Sequence, residues 1–449
     1  MIYDKAKSTQ AEVRLRDQRV GLLTKRSNQM YIFSYDEVYF NKKDAVAISV
    51  KLPVADKEYI SNHLHAFFDN LIMEGWLLSQ AEKSFHVDKK NRWGLLMLVG
   101  ANPIGAVSIH ALDENGNLVA ETAEESNENT RLFTITIPYR DKICSFCLKE
   151  IKSEERYHAS CYRKLWGTSK TLHARLDKSQ PLLTFLKTVH NGSISGAQRK
   201  GLFTLEKSHL VVNSERSRYI LKPDGDYPEL PANEHLTMTA ARNLKFDVPP
   251  TGLVKIENVG LVYVIKRFDR TKSGEKLLVE DMAQIYEEAN NDKYSLSHEK
   301  IGEAIKNYTQ AGPLNLNDFF RRIIFCYVTA NGDMHLKNWS LLEMELTKGI
   351  YRLCPVYDWL NTRIALSAEK YEIGIPIRGK QNNMQKSYFF KFGIEELGLK
   401  EDYVKSVFKE VSTWENELKR LIPNSFLSEN MKKSYLSLLK ERSKVFQEL

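Results

Sequence analysis

The run Asn331-Gly-Asp-Met-His-Leu-Lys-Asn338, followed by Val356-Tyr-Asp-Trp359, constrains this chain more than any other stretch. Asp333 and Asn338 stand five residues apart, and Asp358 lies twenty past Asn338. An acid, an amide and a second acid at these offsets suit a loop that holds a proton-accepting carboxylate beside two magnesium ligands. A polar turn built on Asn-Gly explains Asn331-Gly332 but not the acid–amide–acid series. The chemistry implied is phosphoryl transfer. In this reading Asp333 accepts or orients the proton of an attacking hydroxyl, and Asn338 and Asp358 hold magnesium. Lys337 neutralises charge on the transferred group, and His335 braces the loop.

Upstream lie candidates for the nucleotide-binding parts. Asn191 to Gly201 is rich in small and hydroxyl residues, as a chain needs where it approaches phosphates closely. Ser195, Gly196, Ala197, Gln198, Arg199 and Lys200 form its centre, although an ordinary turn has the same composition. Lys222, in the strand-like Tyr219-Ile-Leu-Lys222, follows where a lysine for the α- and β-phosphates is needed. Glu234 opens a helical pattern and can pair with Lys222, or else only complement the helix dipole. Lys266-Arg267-Phe268-Asp269-Arg270 ends an apolar strand. Phe268 is a candidate adenine contact there, while Asp269 between two arginines reads equally as a structural ion cluster.

A chain of 449 residues exceeds one ordinary core and predicts two or three domains. Period-two runs at 12–16, 30–35 and 45–52 predict strands, and 63–72 predicts a helix, giving a small N-terminal α/β unit. An acidic, polar stretch at 113–130 reads as a linker. Then Cys144-Ser-Phe-Cys147 and His158-Ala-Ser-Cys161 form two pairs separated by ten residues, a spacing that predicts a closed, structural zinc site. Cys326 and Cys354 sit in apolar runs and read as buried hydrophobes. Five cysteines do not make a disulfide framework and suit a reducing cytoplasm. No run of eighteen apolar residues predicts a membrane span. The net charge of +8 is compatible with plain solubility or with an anionic macromolecular partner.

These motifs resemble one family. Ser195-Gly-Ala-Gln-Arg-Lys200, Tyr219-Ile-Leu-Lys222, Asn233-Glu-His-Leu, Arg267-Phe-Asp-Arg270, Glu280-Asp-Met-Ala-Gln284, Asn331 to Asn338 and Tyr357-Asp358 are similar to the HipA-type serine/threonine kinase toxins. Ala66-Phe-Phe-Asp-Asn-Leu-Ile-Met-Glu-Gly-Trp76 and Gly105-Ala-Val-Ser108 resemble that family's N-terminal subdomain. The resemblance implies an α+β, bilobal protein-kinase-like fold with a small N-terminal subdomain and a short zinc-knuckle segment. Its expected boundaries are 1–125 for the N-terminal unit and linker, 126–178 for the zinc connector, 179–275 for the kinase N-lobe and 276–449 for the helical C-lobe.

The family's catalytic aspartate falls on Asp333, its magnesium ligands on Asn338 and Asp358, and its phosphate lysine on Lys222. Its nucleotide loop covers Ser195 to Lys200, and its autophosphorylated serine falls on Ser193. The pattern Ser193-Ile-Ser195 and the Cys-Xaa-Xaa-Cys resemble the HipT branch, in which the N-terminal subdomain is a separate antitoxin, HipS. The chain thus resembles a fusion of a HipS-like domain with a HipT-like kinase. Lys266 departs from the glutamate that many relatives carry beside the hinge.

The resemblance further implies ATP and magnesium as cofactors and a protein substrate, an aminoacyl-tRNA synthetase with or without tRNA bound. It implies a helix-turn-helix antitoxin and, through it, DNA as partners. Two regulatory devices are expected: autophosphorylation at Ser193 or Ser195, which ejects the nucleotide loop by charge repulsion, and restraint by the N-terminal domain in cis. A small-molecule kinase of the aminoglycoside type, or a co-repressor scaffold, are the competing expectations.

Overall fold

The computed structural model describes residues 2–72, 87–119, 130–177, 200–212 and 216–447, apart from short gaps at 28, 153–154, 226, 258, 289–291, 345, 347–348 and 367–369. Ser193 and the loop from Ser195 to Arg199 lie outside the described residues. The same is true of 120–129 in the expected linker.

The first unit is a five-stranded antiparallel sheet in the order β4-β3-β2-β1-β5. Its strands are β1 (Gln10–Leu15), β2 (Gln18–Lys25), β3 (Tyr31–Tyr35), β4 (Glu58–Ser61) and β5 (Val107–Leu112). Ala11, Val13 and Leu15 alternate into the core as a pleated strand requires. Two expectations for this unit are corrected. The run 45–52 is not a strand. Ile48 and Leu52 are buried there, and the Tyr35 hydroxyl takes the place of a neighbouring strand, accepting from Ile48 N and donating to Leu52 O. The helix expected over 63–72 shrinks to α1 (Ala66–Asp69), capped by His65, whose Nδ1 accepts from Phe67 N. A second helix, α2 (Arg92–Val99), buries Trp93, Leu95 and Leu96.

The second sheet closes on itself as a barrel of seven strands, β10-β12-β11-β6-β7-β9-β8. They are β6 (Thr130–Thr136), β7 (His173–Asp177), β8 (Gly201–Glu206), β9 (His209–Val212), β10 (Tyr219–Pro223), β11 (Thr251–Ile256) and β12 (Gly260–Lys266). This corrects the expected boundary. The Cys/His segment, with its helix α3 (Ala159–Trp166), is an insertion between two strands of the barrel rather than a connector ahead of it. Long-range pairing of β6 with β11 decides this, and no local pattern signals such pairing. Helix α4 (Leu230–Asn243) crosses from β10 to β11 and is buried along nearly its whole length.

The remainder is mainly helical. A small sheet of β13 (Val279–Asp281), β14 (Ser340–Glu343) and β15 (Tyr351–Leu353) frames the candidate loop. Around it lie α5 (Met282–Ile285), α6 (His298–Tyr308), α7 (Gly312–Val328), α8 (Glu401–Leu421) and α9 (Glu429–Gln447). Helix α8 buries Val404, Val407, Phe408, Val411, Trp414 and Leu418, the three-and-four spacing of one apolar face. Among the described residues no helix is long and apolar enough to cross a membrane.

The first unit is docked firmly on the rest. Arg16 pairs with the fully buried Glu343, and Asp269 accepts from Gly105 N at 2.9 Å. Glu280 accepts from Val50 N at 3.0 Å and from the Ser49 hydroxyl. Burial raises the Glu280 carboxyl to about 7, against these hydrogen bonds, which favour its charged form.

Candidate active site

Strand β10 carries Lys222 and helix α4 carries Glu234, and the fold brings the two into contact. Lys222 Nζ lies 2.7 Å from Glu234 Oε1 and also pairs with Asp358. Lys222 is 5% exposed and Glu234 0%. Burial alone would strip charge from the lysine, but the two carboxylates outweigh it and raise its pKa. Burial likewise opposes ionisation of Asp358. Lys222 and Lys200, with a contribution from His335, nevertheless hold that carboxyl below its usual range.

The start of α4 is pinned to the segment after Asp358 by a reciprocal amide pair. Asn233 Nδ2 donates to Asn361 O at 2.8 Å, and Asn361 N donates to Asn233 Oδ1 at 2.9 Å. Glu234 and Asp358 are therefore held at a set separation with Lys222 between them.

The loop itself is tied inward by its own side chains. Asn331 Oδ1 accepts from Asp333 N at 3.2 Å, and Asn331 Nδ2 donates to Asp358 O at 3.3 Å. Asn338 Nδ2 donates to Asp333 O at 2.8 Å, which leaves its Oδ1, the atom a hard cation needs, as the free-facing end of the amide. Asp358 takes a left-handed backbone, φ 56°, a conformation costly for a non-glycine residue and found where function over-determines geometry. Gly374 passes so close that a Cβ there would stand 2.6 Å from Met334 N. Only glycine lets the strap at 374 support the loop beside Asp333.

The remaining expected residues divide. Lys200 acts electrostatically on Asp358, helping to favour its charged form. His335 is 1% exposed, and its backbone N–H donates to Asp333 O at 2.9 Å, which suits a brace. Lys337 Nζ lies 3.2 Å from Asn70 Oδ1 of the first unit. Tyr357 donates its hydroxyl to Lys337 O at 2.9 Å and stacks on Phe268, with ring centroids 5.7 Å apart. Phe268 thus packs in an apolar cluster with Leu277, Leu342 and Cys354. Arg267 takes the ion-cluster arrangement: its guanidinium is buried and committed to Asp269 and Ser217. Arg267 and Arg270 hold the buried Asp269 carboxyl at about 2 although burial alone would raise it. Lys266 is half-buried, and that burial lowers its pKa, with Arg218 adding to the effect.

Two residues escaped the sequence reading. The Tyr294 hydroxyl donates to Asp333 Oδ1, and its ring sits edge-on to His335 at 5.1 Å. Asn70, inside the quoted 66–76 motif, touches the loop. Nothing in the sequence around 294 marks it.

A second candidate centre lies on the insertion. Cys144, Cys147, His158 and Cys161 present ligand atoms all within 4.8 Å of one another. His158 directs Nδ1 at the Cys147 sulfur, 3.3 Å away, while Nε2 donates to Glu150 O at 3.1 Å. Three sulfurs and one imidazole nitrogen, with the second ring nitrogen anchored, fit a tetrahedral soft-to-borderline cation. The segment reaches both neighbours. Phe146 O accepts from His235 Nε2 at 3.2 Å, one residue from Glu234, and Asn424 Nδ2 donates to Leu148 O at 3.2 Å.

Comparison with known proteins agrees with this architecture. Residues 192–418, just over half of the 449, match the HipA-like C-terminal domain, and residues 11–110 match the HipA N-terminal domain. A Haemophilus influenzae protein, provisionally named as a kinase, is 28% identical over 63% of this chain and 91% of its own length. The Sinorhizobium fredii protein Y4dM, also provisionally named a kinase, is 26% identical over 79% of this chain and 78% of its own. Among solved structures, Shewanella oneidensis HipA, in a complex with HipB and operator DNA, superposes with a TM-score of 0.69 at 19% identity. That superposition covers 97% of this chain and 96% of the other, and at this identity it speaks for the fold.

Proposed function

Because the chain belongs to the HipA family, we infer that it is an ATP-dependent kinase that phosphorylates a protein hydroxyl, as the toxin of a toxin–antitoxin pair. The observation that carries the reading is Lys222 held between Glu234 and Asp358, beside a loop that presents Asp333 and Asn338. Lys222 would bind the α- and β-phosphates of ATP, with Glu234 fixing its rotamer. Asn338 Oδ1 and Asp358 are the residues that would hold magnesium, which supplies positive charge against the phosphate oxygens when bound. Asp333 orients the acceptor hydroxyl and takes its proton as the oxygen attacks. Lys337 sets its ammonium against the charge that gathers on the transferred group.

The acceptor class is a serine or threonine of an aminoacyl-tRNA synthetase, carried by the family resemblance and by the mildly basic chain, which suits a tRNA-bound target. A DNA-binding antitoxin is the proposed partner, as HipB is for the Shewanella protein. Ser193 and Ser195 are the proposed self-modification sites, since a dianion there would repel the nucleotide phosphates. Cys144, Cys147, His158 and Cys161 would hold a structural zinc ion.

One experiment tests the core of this. Wild-type protein and Asp333→Asn are incubated with γ-labelled ATP, magnesium and a lysate. Label on a protein band and on the 191–201 peptide, both lost in the variant, is expected. Equal labelling by the two proteins, or label passing only to a small metabolite, would overturn it.

A further inference from the structure

The first unit reaches the candidate catalytic loop through one buried side chain. Asn70 follows α1 and is 8% exposed. Its Nδ2 donates to Ala66 O at 3.0 Å and to Glu288 O at 2.9 Å. Those two carbonyls settle the orientation of the amide and turn Oδ1 toward Lys337. Lys337 Nζ donates to that Oδ1 at 3.2 Å and to Asn70 O at 3.4 Å.

Asn70 is itself held from several directions. Gln284 Nε2 donates to Phe67 O at 3.0 Å, and Arg92 Nε lies 2.6 Å from Asp69 Oδ1. Met282 N donates to Trp339 O at 3.0 Å, so α1, α5 and the end of the loop form one hydrogen-bonded body.

We propose that Asn70 is a positioning residue for Lys337, so that the N-terminal unit completes the phosphoryl-transfer site. The proposal rests on the kinase reading above, and its sign is opposite to restraint in cis. A lysine ammonium rides on a flexible four-carbon stem, and fixing it before reaction removes an entropic cost from the chemical step. The chemistry of the acceptor matters as well. A carboxamide oxygen and a backbone carbonyl orient the ammonium without themselves adding a counter-charge. An aspartate at 70 would instead bind it as an ion pair.

Asn70→Leu, which keeps the number and branching of the side-chain heavy atoms, tests this in the full chain. Its kcat is expected to fall by about 10- to 100-fold, the scale of an ångström-sized misplacement, with the KM for ATP unchanged. In a Lys337→Met background the same substitution is expected to add nothing, because its effect runs through that lysine. Independently of activity, Lys337 is expected to react faster with an amine-directed succinimidyl ester in Asn70→Leu than in the wild type, read by peptide mass spectrometry. Should Asn70→Leu fail to fold by thermal melt, Asn70→Ser is read in the same way.

Wild-type kcat in the variant, or an equal further loss in the Lys337→Met background, overturns the proposal. Unchanged labelling of Lys337 also overturns it. If the wild type transfers no phosphate at all, the kinase reading fails. The labelling then still decides the Asn70–Lys337 contact on its own.

Discussion

The phenol of Tyr294 donates a hydrogen bond to Asp333 Oδ1, the carboxylate that the proposed mechanism reserves for an incoming hydroxyl. Tyr294 is 41% exposed, so it stands over the carboxylate from the solvent side. An acceptor serine must displace it. A hydrogen bond to a charged group is worth about 1.5–3 kcal/mol net, and part of that is recovered when the substrate hydroxyl takes its place. Tyr294→Phe is therefore expected to lower the KM for the protein acceptor by up to about tenfold, with the KM for ATP unmoved. Steady-state kinetics with both substrates varied would show it. A raised acceptor KM would mean that the phenol helps to bind the substrate.

Glu234 and Asp358 compete for Lys222, and their substitutions should separate. In Glu234→Gln the lysine keeps Asp358, so the fold is expected to lose only about 1–3 kcal/mol. The carboxylate of Asp358, proposed to bind magnesium, however, becomes more tightly engaged, and binding of a fluorescent ATP analogue should weaken by about tenfold, or about 1.4 kcal/mol. In Asp358→Asn the melting temperature should hardly move, because Glu234 still pairs the lysine, while phosphoryl transfer is lost. Thermal melts beside nucleotide titrations check both halves.

Glu280 links the first unit to the rest and makes their union sensitive to pH. Its carboxyl sits at about 7 when folded, against an ordinary value near 4.5, because it is buried. A raised carboxyl pKa means that the folded state holds a proton which the unfolded chain releases. The contribution of this group is thus complete below about pH 4.5 and is lost as pH rises toward 7, by on the order of 3 kcal/mol. Glu280→Gln, which cannot ionise, should raise the melting temperature at pH 8 and leave it nearly unchanged at pH 5. Equal shifts at both pH values would exclude ionisation of Glu280 as the cause.

Metal removal should be felt at the nucleotide site. The Cys/His segment leans on α4 through Phe146 and His235, beside Glu234. Purified protein is expected to carry about one zinc per chain, with four protein ligands closing the site. Chelation, or Cys147→Ser, should lower the melting temperature by about 5 °C or more and raise the KM for ATP. Gly252→Ala should reproduce the second effect without touching a ligand, since its Cβ would fall 2.2 Å from Phe146 Cδ1. Metal analysis and ATP kinetics on the three samples decide it. A full zinc complement with unchanged ATP binding in Gly252→Ala would break the proposed connection.

The local patterns of the chain were legible to different depths. The strands expected at 12–16 and 30–35, observed at 10–15 and 31–35, could be read because each carries its own period. The run 45–52 misled because burial of Ile48 and Leu52 copies strand alternation, whereas the hydrogen bonds there go to a tyrosine hydroxyl. The ion cluster around Asp269 was legible from its two flanking arginines, whereas Ser217, which also engages Arg267, reaches it only in space. Gly374 carried no signal, since its neighbour, Met334, lies forty residues away.

The sequence by itself determined the chemistry on offer: an acid and an amide five residues apart, a second acid, a strand lysine, and three cysteines with a histidine. These are short-range facts, because backbone geometry converts such spacings directly into shared loops and faces. The tertiary structure alone decided which partners meet. It set Lys222 between two carboxylates, laid Tyr294 on Asp333, threaded the Cys/His segment into a barrel beside Glu234, and brought Asn70 to Lys337. Each of those contacts closes a long loop, and its energy comes from burial and desolvation shared across the whole core, which no window of sequence contains.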